Sequence, residues 1–175
     1  MRNGPLDMRM DQGRGVTARE IVNSWPEERL CHIFQTLGEE RFSRRLAKSI
    51  VAGRQEKPIE TTGELSDLLA RAVPFRGKIH PATRVFQALR MEVNDELGAL
   101  SRGLAAAGRL LLPGGRLAVL TFHSLEDRLV KRTFLRWREL GAARLVNSKA
   151  ESCDREEARA NRRARSAKLR VVERL

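Results

Sequence analysis

His123, Ser124, Glu126 and Asp127 stand within five residues of one another, directly after the apolar run Leu117-Ala118-Val119-Leu120-Thr121-Phe122. A histidine beside a carboxylate can exchange protons with a bound group. In open α/β sheets the carboxyl end of a strand, where it gives way to a helix, is where ligands bind. His123, Ser124 and Glu126 are therefore the candidate catalytic or substrate-positioning residues. The same letters have a purely structural use, with Ser124 capping the next helix, Asp127 complementing its N-terminus and His123 satisfying a backbone group. The spacing leaves both uses open. A metal ion held by His123, Glu126 and Asp127 would lack the further histidines or cysteines such a site draws on, and no metal is expected.

A second kind of chemistry lies in Arg159-Ala160-Asn161-Arg162-Arg163-Ala164-Arg165-Ser166-Ala167-Lys168-Leu169-Arg170. Positive charge at this density neutralises phosphates, giving an affinity that falls steeply with salt. Arg162, Arg163, Arg165 and Lys168 are the candidate RNA contacts here, and Arg44 and Arg45, on the outer side of a predicted helix, are two more. The formal charge of +12 points the same way, towards a polyanion. The bland reading of the run is a solvated tail; its lead into the apolar stretch Leu169 to Val172 favours an anchored segment. Gly13-Arg14-Gly15 has no strand before it and Gly114-Gly115 precedes a strand, so neither forms a phosphate cradle. Cys31 and Cys153 lack CxxC spacing and read as free thiols in a reducing compartment. No apolar run nears the roughly 18 residues of a membrane span, and a cytosolic location is expected.

The elements that must position these residues begin with a loop over residues 1–15. Thr17-Ala18-Arg19-Glu20 has capping-box spacing, Ser24-Trp25-Pro26-Glu27 repeats the device with proline in the first turn, and Thr61-Thr62-Gly63-Glu64 opens a fourth helix. Leu30, Ile33, Phe34 and Leu37 share one helical face, and Phe42, Leu46, Ile50 and Val51 another. Trp25, Phe34 and Phe42 fall in the apolar period, which makes them core. Residues 73–79 form a connection broken by proline and glycine. From His80 the apolar spacing predicts one long helix to Leu111, weakened at Gly98, Gly103 and Gly108. Pro113-Gly114-Gly115 stops it, and residues 117–122 form a strand whose near-continuous apolarity suits burial on both faces of a parallel sheet. A helix with the stripe Leu125, Leu129, Val130 and Phe134 follows, then short edge strands at residues 145–146 and 169–172. One buried strand and two marginal ones cannot satisfy such a sheet, so strands must come from elsewhere.

Asn3-Gly4-Pro5-Leu6-Asp7-Met8-Arg9-Met10-Asp11, Thr17-Ala18-Arg19-Glu20-Ile21-Val22-Asn23, Gly38-Glu39-Glu40-Arg41, His80-Pro81-Ala82-Thr83-Arg84-Val85-Phe86-Gln87-Ala88-Leu89-Arg90, Val93-Asn94-Asp95-Glu96-Leu97, Pro113-Gly114-Gly115-Arg116 and Phe122-His123-Ser124-Leu125-Glu126-Asp127-Arg128 resemble, in order, the motifs of the ribosomal RNA small subunit methyltransferase H family. The closing Arg163-Ala164-Arg165-Ser166-Ala167-Lys168-Leu169-Arg170 resembles that family's last motif. The resemblance implies an α/β class, namely the C-terminal part of a class I (Rossmann-like) methyltransferase domain with an inserted all-helical subdomain. It implies a loop of the catalytic domain over residues 1–12, the helical substrate-recognition insert over 13–78, and the catalytic domain again over 79–175.

The implied activity is S-adenosylmethionine-dependent methylation of the exocyclic N4 of a cytidine in 16S rRNA, in the cytoplasm, with the small ribosomal subunit as partner. The family's glycine-rich cofactor loop and acidic ribose-binding residue are expected upstream of Met1, in an N-terminally truncated protein that alone would be inactive. Among residues present, Asp7 and Arg9 are the cofactor-side candidates that the resemblance suggests. The alternative is a non-catalytic basic RNA-binding module, or an inactive fragment.

Overall fold

The computed structural model of the chain describes residues 3–73, 80–161 and 163–175; the predicted connection across residues 74–79, and Arg162, lie outside these. The chain divides into two compact units, Met1–Glu96 and Leu97–Leu175.

In the first unit, helix α1 (Ala18–Ser24) starts on the expected capping box: Thr17 Oγ1 accepts from the Glu20 amide at 3.1 Å while Glu20 Oε2 accepts from the Thr17 amide at 2.7 Å. Helix α2 (Glu27–Thr36) departs from expectation. Pro26 is its N-cap and makes no side-chain cap bond, while the Ser24 hydroxyl donates back to the Glu20 carbonyl at 2.6 Å. Ser24 thus closes α1 instead of opening α2. Helix α3 (Ser43–Glu56) follows, and helix α4 (Thr62–Ala72) starts on the second box, from Thr61 and Glu64. Helix α5 (Ala82–Val93) completes the cluster. Ile21, Leu30, Phe34, Leu46, Ile50, Leu65, Leu69 and Leu89 are buried together at its centre, with Trp25 and Phe42 packed at the margin.

The single long helix predicted from His80 to Leu111 is two helices. Its break is at Asn94 and Asp95, not at a glycine: Asp95 has φ 46°, and α5 ends at Val93 before α6 (Glu96–Leu110) begins. The Asn94 side chain bonds a different segment, as described below, as well as the Arg90 carbonyl of α5.

In the second unit, Leu111 and Leu112 lead into a turn at Gly114, whose φ of 77° lies in the left-handed region that suits glycine. Strand β1 (Arg116–Thr121), helix α7 (Ser124–Glu139), strand β2 (Ala143–Leu145), the short helix α8 (Arg155–Ala160), a 3-10 turn at Ala164–Ser166 and strand β3 (Lys168–Arg174) follow. The sheet order is β1-β3-β2 and both pairings are antiparallel, with Val172 opposite Leu117 on one side and Leu145 on the other. Among the described residues the expected parallel pairing of this strand is therefore not present, and its one partner runs antiparallel. Among the described residues β1 pairs only with β3, and its exposure alternates along the strand. One face, with Leu117, Val119, Val172 and Leu145, packs on Val130, Phe134 and Leu104. On the other face Ala118 and Leu120 are exposed, and burying them would take a covering element on that side. The predicted edge strand at 169–172 is instead the central strand and longer than expected, because it takes a partner on each side.

Candidate functional site

The polar turn after β1 is built by reciprocal capping. His123, not Ser124, is the N-cap of α7: its Nδ1 accepts from the Glu126 amide at 3.4 Å. Glu126 reaches back, its Oε2 accepting from the Phe122 amide at 2.9 Å. With Nδ1 used as an acceptor, the neutral imidazole carries its proton on Nε2. That atom is buried without a hydrogen-bond partner among the described residues, and Glu126 Oε1 lies 3.4 Å from it. The pair that caps the helix is thus the same pair that the sequence offered for acid–base chemistry. Ser124 is the first helical residue of α7. The Asp127 amide donates to the His123 carbonyl at 3.1 Å, while its side chain is turned away from this turn.

Asp127 is buried against β3. Its Oδ1 accepts from Arg170 Nε at 2.7 Å, and its Oδ2 from Arg170 Nη2 at 3.1 Å and Lys168 Nζ at 3.2 Å. The Arg170 hydrogen bonds, against the opposing cost of burial and with help from Lys168, hold its carboxyl below the usual aspartate range. This fork ties α7 to the central strand directly behind the His123 turn. Across the uncovered face a second row, Arg116–Glu173–Arg144, spans all three strands at 2.8 and 2.7 Å; Arg116 first and Arg144 next lower the Glu173 pKa.

In the first unit the loop of residues 3–11 is fixed at both ends. Leu6 is buried in the helical core, its amide donating to the Glu60 carbonyl at 3.0 Å while its carbonyl accepts from the Arg19 amide at 2.7 Å. Asn3 Oδ1 accepts from the Gly63 amide at 3.0 Å. Beyond Leu6, Asp7 and Arg9 form a two-point fork at 2.7 and 2.9 Å. The Arg9 guanidinium lowers the Asp7 pKa, and the Asp7 carboxylate raises that of Arg9. Met8 between them has φ 65°, a conformation costly for a residue with a side chain. Asn94 holds it there, Nδ2 donating to the Met8 carbonyl at 2.9 Å and Oδ1 accepting from the Met10 amide at 2.8 Å. Sequence reasoning missed Asn94, although its place in Val93-Asn94-Asp95, inside a helical period, was the available signal.

Arg44 and Arg45 are exposed on α3, as are Arg163 and Arg165 around the 3-10 turn. Lys168 is half-exposed and turned to Asp127; Arg162 lies outside the described residues. The structure adds a basic face that sequence reasoning overlooked. Lys131, Arg132, Arg136 and Arg138 are exposed on α7, with Arg132 and Arg136 on the side opposite the buried Phe134.

An α/β unit with a polar strand-to-helix turn, a helical unit bearing an anchored loop, and exposed arginines on several elements make up a protein suited to a polyanionic ligand. The model of the MraW methylase family matches residues 1–175, and the chain belongs to that family. It is 48% identical to the Ribosomal RNA small subunit methyltransferase H of Symbiobacterium thermophilum, over 99% of this chain and 60% of that protein. It is 51% identical to the protein of the same name in Elusimicrobium minutum, over 100% and 60% of the two chains, and 54% identical to that of Deinococcus deserti, over 98% and 56%. The chain spans about 60% of the length of these curated relatives.

Proposed function

We propose that this chain is the substrate-side part of an S-adenosylmethionine-dependent methyltransferase that modifies the exocyclic N4 of a cytidine in 16S rRNA. The observation that carries this reading is identity near 50% along the whole chain to proteins named Ribosomal RNA small subunit methyltransferase H. On this reading the helical cluster of residues 13–78 is a substrate-recognition insert. The β1-β3-β2 sheet is then the antiparallel end of a larger class I sheet, which would continue from the open edge of β1. Arg44, Arg45, Arg162, Arg163, Arg165 and Lys168 contact rRNA phosphates. His123, Ser124 and Glu126 position the target at the sheet edge, and the Asp7–Arg9 fork faces the cofactor side.

The described residues do not by themselves form a seat for S-adenosylmethionine. The only paired glycines, Gly114 and Gly115, precede β1, so no glycine turn follows a strand to cradle the cofactor. The Asp7 carboxylate and Arg9 guanidinium are spent on each other. No step of methyl transfer is therefore assigned to a residue here. On this reading the cofactor loop belongs to the portion of the relatives that this chain does not span. The second reading is a basic module that binds rRNA without catalysis, and the exposed arginines on several elements are what favours it.

The test compares this chain with a version extended by the upstream reading frame. Each is incubated with small subunits lacking the modification and methyl-labelled S-adenosylmethionine, and the rRNA is digested to nucleosides for mass spectrometry. N4-methylcytidine from the extended form, with salt-dependent rRNA retention by both, is the expected result. A different methylated nucleoside refutes the assigned position, and rRNA binding by neither form refutes the substrate.

A further inference from the structure

At the end of β1 away from His123, separated from it by the strand's length of about 17–20 Å, the second unit carries a cavity of about 330 Å³. Its walls are Gly108 and Leu111 on one side and Trp137 and Ala143 on the other, with Arg109 and Arg174 also lining it. The opening depends on Gly108, where a Cβ would lie 2.8 Å from Trp137 Cζ2. Trp137 is braced from behind by Phe134, with ring centroids 5.5 Å apart. One Arg174 nitrogen donates to the Leu111 carbonyl, which fixes that guanidinium at the cavity. Neither Arg109 nor Arg174 has a carboxylate partner among the described residues. The nearby acids do not change this: Glu173 is held by Arg116 and Arg144, and Glu139 shares the last turn of α7 with Arg136 and Arg138. Flanking the lining residues along the chain, Leu110, Leu112 and Leu140 are 81%, 76% and 70% exposed.

Single exposed leucines need no explanation, but a group of them beside an apolar cavity marks an interaction surface. A volume of this size accepts one aromatic or leucine-sized side chain. The guanidinium groups select what stands beside that side chain, and favour carboxylates. A second copy of this chain, at +12, brings the wrong sign. An RNA strand would satisfy the arginines but leave its phosphates and riboses against exposed leucines. We propose that this cavity is the anchor site for an acidic amphipathic segment of a partner protein, which inserts one bulky apolar side chain beside Trp137 and sets flanking carboxylates on Arg109 and Arg174.

The test is a displayed library of 14-residue peptides, selected on the full chain and counter-selected on A105L. Ala105 lines the cavity from the exposed side of α6, so a leucine there fills it while disturbing no buried contact. Enriched peptides should carry one aromatic residue or leucine flanked by Asp or Glu. In anisotropy titrations their affinity should fall at least ten-fold on A105L, at least five-fold on R109Q, and at least ten-fold when their acids become amides. Binding should shift the Trp137 indole resonance and leave Trp25 unmoved. Enrichment without acids, no enrichment at all, or equal binding to A105L overturns the proposal. So does a Trp137 shift caused by cytidine monophosphate or N-acetyltryptophan at concentrations where the selected peptides cause none. None of these readouts uses methyl transfer, so the result stands apart from the proposed activity.

Discussion

Replacing Asp127 tests the fork that holds the candidate turn. Asp127 and Arg170 expose 11% and 13% of their side chains, and Lys168 exposes 46%. Hydrogen bonds to charged groups contribute about 1.5–3 kcal/mol each, and stranding one member of a buried pair costs about 3–5 kcal/mol. The residual exposure places D127A near the lower bound, about 3 kcal/mol, with Lys168 contributing no more than about 1 kcal/mol because it is half in water. D127N keeps the shape and loses the charge, at about 1.5 kcal/mol. The assay is urea unfolding followed by tryptophan fluorescence in a W25F background, so that Trp137 alone reports the second unit. A double-mutant cycle with R170A should give a coupling of about 1.5–3 kcal/mol. The sign with pH follows from the lowered Asp127 pKa. The contribution is fully present above the unfolded carboxylate value of about 3.9 and is lost as pH falls through the folded value. The gap between wild type and D127N therefore closes in acid and stays flat from pH 5 to 7. A coupling below about 0.5 kcal/mol, the level of an exposed pair, or a gap that persists undiminished at pH 2, refutes the reasoning.

N94A removes both side-chain bonds from the residue 3–11 loop, each partly exposed and worth about 0.5–1.5 kcal/mol. Hydrogen exchange at Met10 should accelerate by roughly 5- to 150-fold, and unchanged protection would show that the loop is held by other means. G38A places a Cβ 2.7 Å from the carbonyl oxygens of Phe34 and Arg84, and should lower the thermal midpoint of the first unit clearly more than G4A, whose Cβ meets nothing within 4 Å. The Glu64 carboxyl is lowered to about 2, first by Lys57 and then by the Glu60 and Thr61 amides; carbon-detected NMR should find it ionised at pH 3, and a midpoint near the ordinary glutamate value would dismiss the capping box as a solution feature. R44Q/R45Q should reduce the salt slope of rRNA binding by roughly 1 for each phosphate that is no longer neutralised; an unaltered slope removes α3 from the RNA surface.

Local signals were the ones the sequence made plain. The boxes at Thr17 and Thr61 form because each needs only residues three apart, and the apolar faces of α2 and α3 bury as their period demands. What escaped was non-local. Asn94 looked like one more helical residue because its partners, Met8 and Met10, lie more than eighty positions upstream. The apolar letters of β1 suggested two covered faces, yet pairing and cover depend on where β3 and α7 come to rest. At the turn, the letters could not distinguish cap from acid–base pair, and the structure shows why: His123 and Glu126 cap the helix through one atom each and face one another through the other. The basic run at 159–170 was visible as charge, but the withdrawal of Arg170 to Asp127, which Lys168 joins while still half-exposed, required the fold.

The strand order has a consequence for biosynthesis. β1 and β2 never touch; each is joined to the sheet only through β3, which is made after both. Until Lys168–Arg174 has been synthesised, β1 and β2 lack the strand that joins them among the described residues, and the Asp127 fork has neither Lys168 nor Arg170 to close on. The Met1–Glu96 unit, whose core draws only on residues 6–93, is under no such delay. A ribosome stalled just before Lys168, or a protease cutting there, would leave the helical half attached to β1 and β2 without the strand that joins them.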